Sequence, residues 1–331
     1  MAIYESHYKD QPALTLESEV MSAQFLPSIG SKMASLIYKP LQRELMVQNP
    51  SEKYLLQPYD GHYESAECSG FDEMFPTIDT CFYDRYPWQG TKIPDHGEVW
   101  SLAWEPKIAG EALTMTTYGV RFPYKLEKCV WFAAAHILRT EYTLTNLSAF
   151  DFNFLWAAHT MINIENGVEL VLPSGVEKVV SCSAKGSIGS YGEEGRWPQV
   201  EQPDGSIRDL SKLRPITTRN SEKYYIKGKM PQGWCALKYH ESNFGLALTF
   251  PVKTVPYLAI LPNEGGWRDI HNIFLEPATG TFDRPDIARM RSEYSTVRAH
   301  STYEWHLNIT LGNGTNFGSV NDDGEFVEGE A

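Results

Sequence analysis

Three stretches of the chain place titratable side chains among residues that would hold them still. In GFDEMFPTIDTCFYDRYPWQGTKIPDHGEVWSLAWE, residues 70–105, the acids Asp72, Glu73, Asp95 and Glu98 and the imidazole of His96 lie among Phe71, Trp88, Trp100 and Trp104. Acids and rings this dense suit a polar pocket with apolar walls. In FNFLWAAHTMINI, His159 closes an apolar run, and in NIFLEPATGTFDRPDIA, Glu276 follows Ile273, Phe274 and Leu275. Pro277 disfavours the helical conformation of the residue before it, so Glu276 is expected on stiff, extended chain. A positioned carboxylate and imidazole are the usual equipment of general acid–base chemistry. Taken singly, each has a plainer reading: His159 as a hydrogen-bonded core histidine, Glu276 as a turn residue, and the acids of 70–105 as a solvated face.

Other chemistries lack their strings. The chain has no H-E-x-x-H, no Walker loop, no G-x-S-x-G and no G-x-G-x-x-G, and GSIGSYG has the wrong glycine spacing for a dinucleotide turn. None of the nine histidines lies two or four residues from another, so local metal-ligand spacing is missing, and a metal assembled from distant strands is the alternative left open. Five widely spaced cysteines without a C-x-x-C pair read as free thiols. The net charge of −13 repels phosphate backbones and anionic membranes, which points away from nucleic acid and lipid and toward a neutral ligand. The opening residues lack a basic stretch followed by an apolar run, so a cytoplasmic protein is expected and the sequons at Asn146, Asn308 and Asn313 read as incidental.

The elements that must carry these groups are strands. Tyr303, Trp305, Leu307, Ile309 and Leu311 alternate with Glu304, His306, Asn308 and Thr310, as a strand with one wet face requires. Similar alternation marks Val168 to Leu172, Phe152 to Trp156 and Leu246 to Phe250. The best helical candidate is short, Arg284 to Arg291, with Pro285 suited to its first turn. Residues 184–220 are polar and Gly-rich and read as a long surface excursion carrying Tyr191 and Trp197, while the acidic tail 321–331 is expected to fray. The spacing of the three stretches along 331 residues predicts one all-β domain over 1–331, a large antiparallel sandwich or barrel.

Taken together, these strings resemble those of the galactose mutarotase-like aldose 1-epimerases. The likeness rests on His159-x-x-x-Asn163-Ile164, on Phe274-Leu275-Glu276-Pro277 followed by Pro285-Asp286, and on His96-Gly97, in an order and at separations that agree with the family over most of the chain. It implies a large antiparallel β supersandwich and an enzyme that interconverts the α and β anomers of a hexose. Glu276 would then be the base on the C1 hydroxyl and His159 the acid on the ring oxygen. His96, Asp95, Asp72 and Trp267 would contact the sugar, with no cofactor. The chain departs from the pattern in lacking an Asn-Arg-Ile string, in Glu98 after His96-Gly97, and in Ala158 before His159, and it leaves Asp204, Asp209 and Asp269 competing for the sugar-binding aspartate.

The aromatic content, 9 Trp, 18 Tyr and 15 Phe, suits a sugar site, because pyranose C–H faces pack on rings; Trp267 is the ring expected nearest the sugar. A non-catalytic carbohydrate-binding or regulatory protein on the same fold is the main alternative. A glycosidase or lyase using Asp72 or Glu73 with Glu276 is a further one, which would need carboxylates about 5 to 9 Å apart. Lys223, Lys227 and Lys229 form the local candidates for a sugar phosphate, and a homodimer is left open.

Overall fold

The computed structural model describes residues 1–202 and 204–329. It is nearly all β, with two large sheets built from antiparallel strand pairs. Its backbone divides into two compact units, Met1–Thr160 with Ala278–His306 and Met161–Pro277 with Leu307–Ala331. Among the described residues no helix is long and apolar enough to cross a membrane.

In the first unit a meander runs through Ala2–Tyr8, Gln11–Glu17, Met21–Leu26 and Lys32–Tyr38, then continues into Phe71–Met74 and the start of Ala157–Asn163. A second meander, Glu105–Ala109, Ala112–Tyr118, Tyr124–Ala134 and Ile137–Asn146, faces it. Tyr124–Ala134 alternates buried and half-buried side chains along most of its length, the period of a strand packed on one face. The layers are pinned by Glu73, whose carboxylate takes Lys128 Nζ at 3.1 Å, the Tyr142 hydroxyl at 2.9 Å and Trp156 Nε1 at 2.8 Å. Pro285 opens the one α-helix among the described residues, Pro285–Met290, where its missing N–H costs nothing.

In the second unit, His271–Ala278 and Tyr257–Glu264 lead one sheet, followed by Tyr224–Ile226, Lys178–Ser181 and Glu194–Arg196. Glu169–Val171, Trp234–Tyr239, Phe244–Thr249 and the second half of Thr302–Asn313 form the other. The excursion 184–220, apart from residue 203, which lies outside the described residues, contributes short strands and is fastened by Arg208. Its guanidinium meets the buried Glu264 at 2.9 Å, and Arg214 meets the same carboxylate at 2.6 Å.

The tail corrects an expectation. Residues 330 and 331 lie outside the described residues, but Phe326–Glu328 pairs with Phe317–Val320 instead of fraying. The rings of Phe317 and Phe326 are 4.3 Å apart and cover Gly245 and Gly312, where any side chain would collide with them. Asn308 and Thr310, expected on a wet face, are consequently buried at 1% and 0% exposure, with Asn308 Nδ2 bonded to Thr249 Oγ1 at 2.9 Å.

Candidate active site

The strand pairing that sets Asp72 opposite His159 is the base of a cluster within the first unit. Consecutive residues on a strand point to opposite faces, so Glu73 turns into the core while Asp72 turns toward His159. Lys32, on the adjoining strand, puts its ammonium 2.9 Å from Asp72 Oδ2 and 2.5 Å from the Ser69 carbonyl. The Tyr63 hydroxyl donates to the same Asp72 oxygen at 2.8 Å and lies 3.2 Å from His159 Nδ1. Asp72 is only 1% exposed and is engaged by Lys32 and Tyr63.

The charges in this chain of contacts follow from burial and pairing. Burial, the largest single influence, pulls the Lys32 amine down, but the charge and hydrogen bond of Asp72 together with Tyr54 and Cys68 outweigh it and hold the ammonium above its ordinary value. Burial and the Asp72 charge both drive the Tyr63 phenol well above its ordinary range, so it keeps its proton. A phenol has one hydrogen to give. The paired carboxylate takes it, which leaves the Tyr63 oxygen to face His159 Nδ1 as an acceptor.

His96 joins the cluster from a tight turn. Its backbone is left-handed at φ 58° and is followed by Gly97 at φ 82°, where a Cβ would collide with the Phe75 carbonyl. His96 Nδ1 meets Asp95 Oδ1 at 2.8 Å, while Asp95 Oδ2 accepts the Tyr63 N–H at 2.9 Å. Burial pushes the Asp95 carboxyl up, but the His96 and Tyr63 hydrogen bonds and the nearby imidazoles outweigh it and hold the acid below its usual range. The Tyr63 ring stacks on His96 at 4.0 Å, and His96 and His159 meet edge to face at 5.3 Å, with Trp100 5.1 Å from Tyr63 as a wall. Glu98, where the resembled pattern has glycine, is fully buried and accepts Tyr59 at 2.6 Å, the Arg121 N–H at 2.8 Å and Tyr124 at 2.9 Å.

The second unit holds the other expected residues. Glu276 is buried on His271–Ala278, in the extended conformation expected before Pro277, and Lys223 Nζ lies 2.7 Å from its Oε2. Trp267 is half-buried; its N–H and carbonyl are held by the Asn263 amide at 2.9 and 3.0 Å. Its ring carries the Arg268 guanidinium at 4.9 Å and lies 6.4 Å from Phe274. The three competing aspartates are occupied locally: Asp204 caps Ser206, Asp209 caps Ser211, and Asp269 pairs with Arg219 on the surface. Of the lysines named as candidates for a phosphate, Lys223 takes Glu276 and Lys227 takes Glu194. Among the described residues no group of three or more His, Cys, Asp or Glu side chains is placed to hold a metal ion.

Lys32 and Tyr63 were not expected as site residues, and Lys223 was named only as a candidate for a phosphate. Lys32 and Tyr63 reach Asp72 from a neighbouring strand and from a loop, through contacts that no local spacing announces. Glu73 could have been separated from Asp72 by the strand period alone.

No family model and no curated protein matches the chain. Solved structures do. A Klebsiella pneumoniae protein provisionally named an aldose 1-epimerase aligns with a TM-score of 0.70 at 11% identity, covering 93% of this chain and 82% of its own. A galactose mutarotase-like protein from Clostridium acetobutylicum aligns with a TM-score of 0.67 at 13% identity over 95% of this chain and 99% of its own. A galactose mutarotase related enzyme from Lactobacillus acidophilus gives 0.65 at 13% identity over 92% and 98%. The chain therefore has the galactose mutarotase-like fold.

Proposed function

We propose that the protein is an aldose 1-epimerase acting on a hexose, with Glu276 as base and His159 as acid. Glu276 removes the proton of the C1 hydroxyl, the C1–O5 bond breaks, and His159 protonates O5 to give the open aldehyde. Rotation about C1–C2 and the reverse proton transfers close the ring on its other face. The protons balance, and the chemistry calls for no metal or organic cofactor. In this reading His96 holds a sugar oxygen, supported by its contact with Asp95, and Lys223 pairs with Glu276. The observation that carries this reading is the cluster of two oriented imidazoles, His96 and His159, walled by Tyr63 and Trp100, on a fold shared with mutarotase-like proteins. A neutral sugar suits the net charge of −13.

One observation favours a second reading, a protein that binds sugar without turnover: a base held 2.7 Å from an ammonium is a weaker base. Polarimetry of freshly dissolved α-glucose, α-galactose and a wider panel of aldoses separates the two. The epimerase reading expects at least one aldose to equilibrate faster with wild type than with Glu276→Gln. Saturable binding without any acceleration supports the second.

A further inference from the structure

Resting on the epimerase reading, we propose that Tyr63 and Asp72 are positioning residues that fix the tautomer of His159, so that Nε2 is the nitrogen that exchanges a proton with the sugar. Asp72 Oδ2 accepts the Tyr63 hydroxyl hydrogen bond at 2.8 Å, and the ammonium of Lys32 lies 2.9 Å from that same oxygen. With its only hydrogen committed, the Tyr63 oxygen is an acceptor, and the group 3.2 Å away is His159 Nδ1. The Nδ1–H bond is thereby specified from outside the ring. All four side chains are buried: Lys32 at 2%, Asp72 at 1%, Tyr63 at 3% and His159 at 6% exposure, so water does not compete for these contacts. The Tyr63 ring also packs against both imidazoles, stacked on His96 at 4.0 Å and edge-on to His159 at 5.3 Å.

In the reaction this arrangement decides where the proton goes. His159 begins as imidazolium, with Nδ1–H on Tyr63 and Nε2–H toward the ring oxygen. Cleavage of C1–O5 moves the Nε2 proton to O5 and leaves neutral His159 as the Nδ1–H tautomer, with Tyr63 and Asp72 unchanged. Ring closure returns the proton to Nε2. Reversing the donor order around Tyr63 would leave neutral His159 protonated on the wrong nitrogen, as happens when a buried carboxylate orienting a catalytic histidine becomes an amide.

The test uses the full chain labelled with ¹⁵N-histidine, with the His159 signals identified by their loss in His159→Gln. Long-range ¹H–¹⁵N correlation above the His159 titration reads the tautomer directly. Wild type is expected to show Nδ1–H. Asp72→Asn, whose amide can donate to the Tyr63 oxygen and turn its hydroxyl toward Nδ1, is expected to show Nε2–H. Tyr63→Phe is expected to lose about 10²-fold in kcat with KM unchanged, the lower end of what a positioned acid contributes. An Nε2–H signal in wild type, or a Tyr63→Phe protein with tautomer and kcat both unchanged, overturns the proposal. If no aldose is turned over, the epimerase reading fails, and the wild-type tautomer still decides whether Tyr63 and Asp72 orient His159. That wild-type measurement decides equally if either variant fails to fold.

Discussion

Glu98 offers the most quantitative test of how the cluster is held. Its carboxylate is fully buried and ties three points of chain, Tyr59, Arg121 and Tyr124, to the turn that presents His96, while its own N–H donates to the Phe75 carbonyl at 2.7 Å. Glu98→Ala removes the acceptor for all three donors. Tyr59 and Arg121 are partly exposed and can turn to water, but the Tyr124 hydroxyl is buried and is left with an unmet donor. Hydrogen bonds to a charged group contribute about 1.5 to 3 kcal/mol each, and a buried orphan costs about 1 to 3 kcal/mol. Relief of the desolvated carboxylate offsets part of this, which leaves an expected loss of about 3 to 5 kcal/mol, the range for breaking a buried charged network. Urea unfolding at pH 7 reads it as a lower midpoint with an unchanged m-value. Tyr124→Phe removes one of the three bonds and should lose roughly half as much or less. A loss in Glu98→Ala within about 0.5 kcal/mol, the scale of ordinary surface substitutions, would refute the tether.

Three further outcomes are expected. Gly97→Ala puts a Cβ against the Phe75 carbonyl at a backbone φ of 82°, and should lose about 2 to 3 kcal/mol by urea unfolding; an unchanged midpoint would contradict the turn geometry. Asp95 is held below its usual range when folded, so its contribution to stability is present above the unfolded value of about 3.9 and is lost as pH falls through the folded value. The stability gap between wild type and Asp95→Asn should therefore shrink on acidification from pH 5 toward pH 2, and a constant gap would deny the His96 and Tyr63 contacts. Arg208→Met leaves Glu264 with Arg214 alone and should cost about 3 kcal/mol, with limited proteolysis entering residues 184–220 faster than in wild type.

Much of the fold was legible because strands write their period into the chain. The strand through Tyr303 to Leu311 and the short helix at Pro285 both appear where the residue pattern puts them. What the period does not contain is the identity of the layer outside a strand. Asn308 and Thr310 look like solvent residues, yet Gly245 and Gly312 leave room for Phe317 and Phe326, and the tail covers them. The candidate site follows the same division. His96, Asp95, Asp72 and His159 were legible as acids and imidazoles among rings, and strand register brings Asp72 opposite His159. Asp72 belongs to a buried ion pair because Lys32 comes from a neighbouring strand, and Tyr63 intervenes from a loop. Lys223, one of three lysines that form only a weak cluster in the sequence, meets Glu276, while Lys227 meets Glu194.

The central claim is proton transfer at an anomeric centre by Glu276 and His159, and magnetisation exchange tests it without waiting for an approach to equilibrium. In an equilibrated solution of the best aldose, transfer between the α and β H1 signals measures interconversion directly. Wild type is expected to raise the exchange rate well above the protein-free rate, and Glu276→Gln or His159→Gln to lower that increment by about 10²- to 10⁴-fold. Exchange that wild type does not accelerate for any aldose, or that both variants accelerate as fully as wild type, would contradict the account.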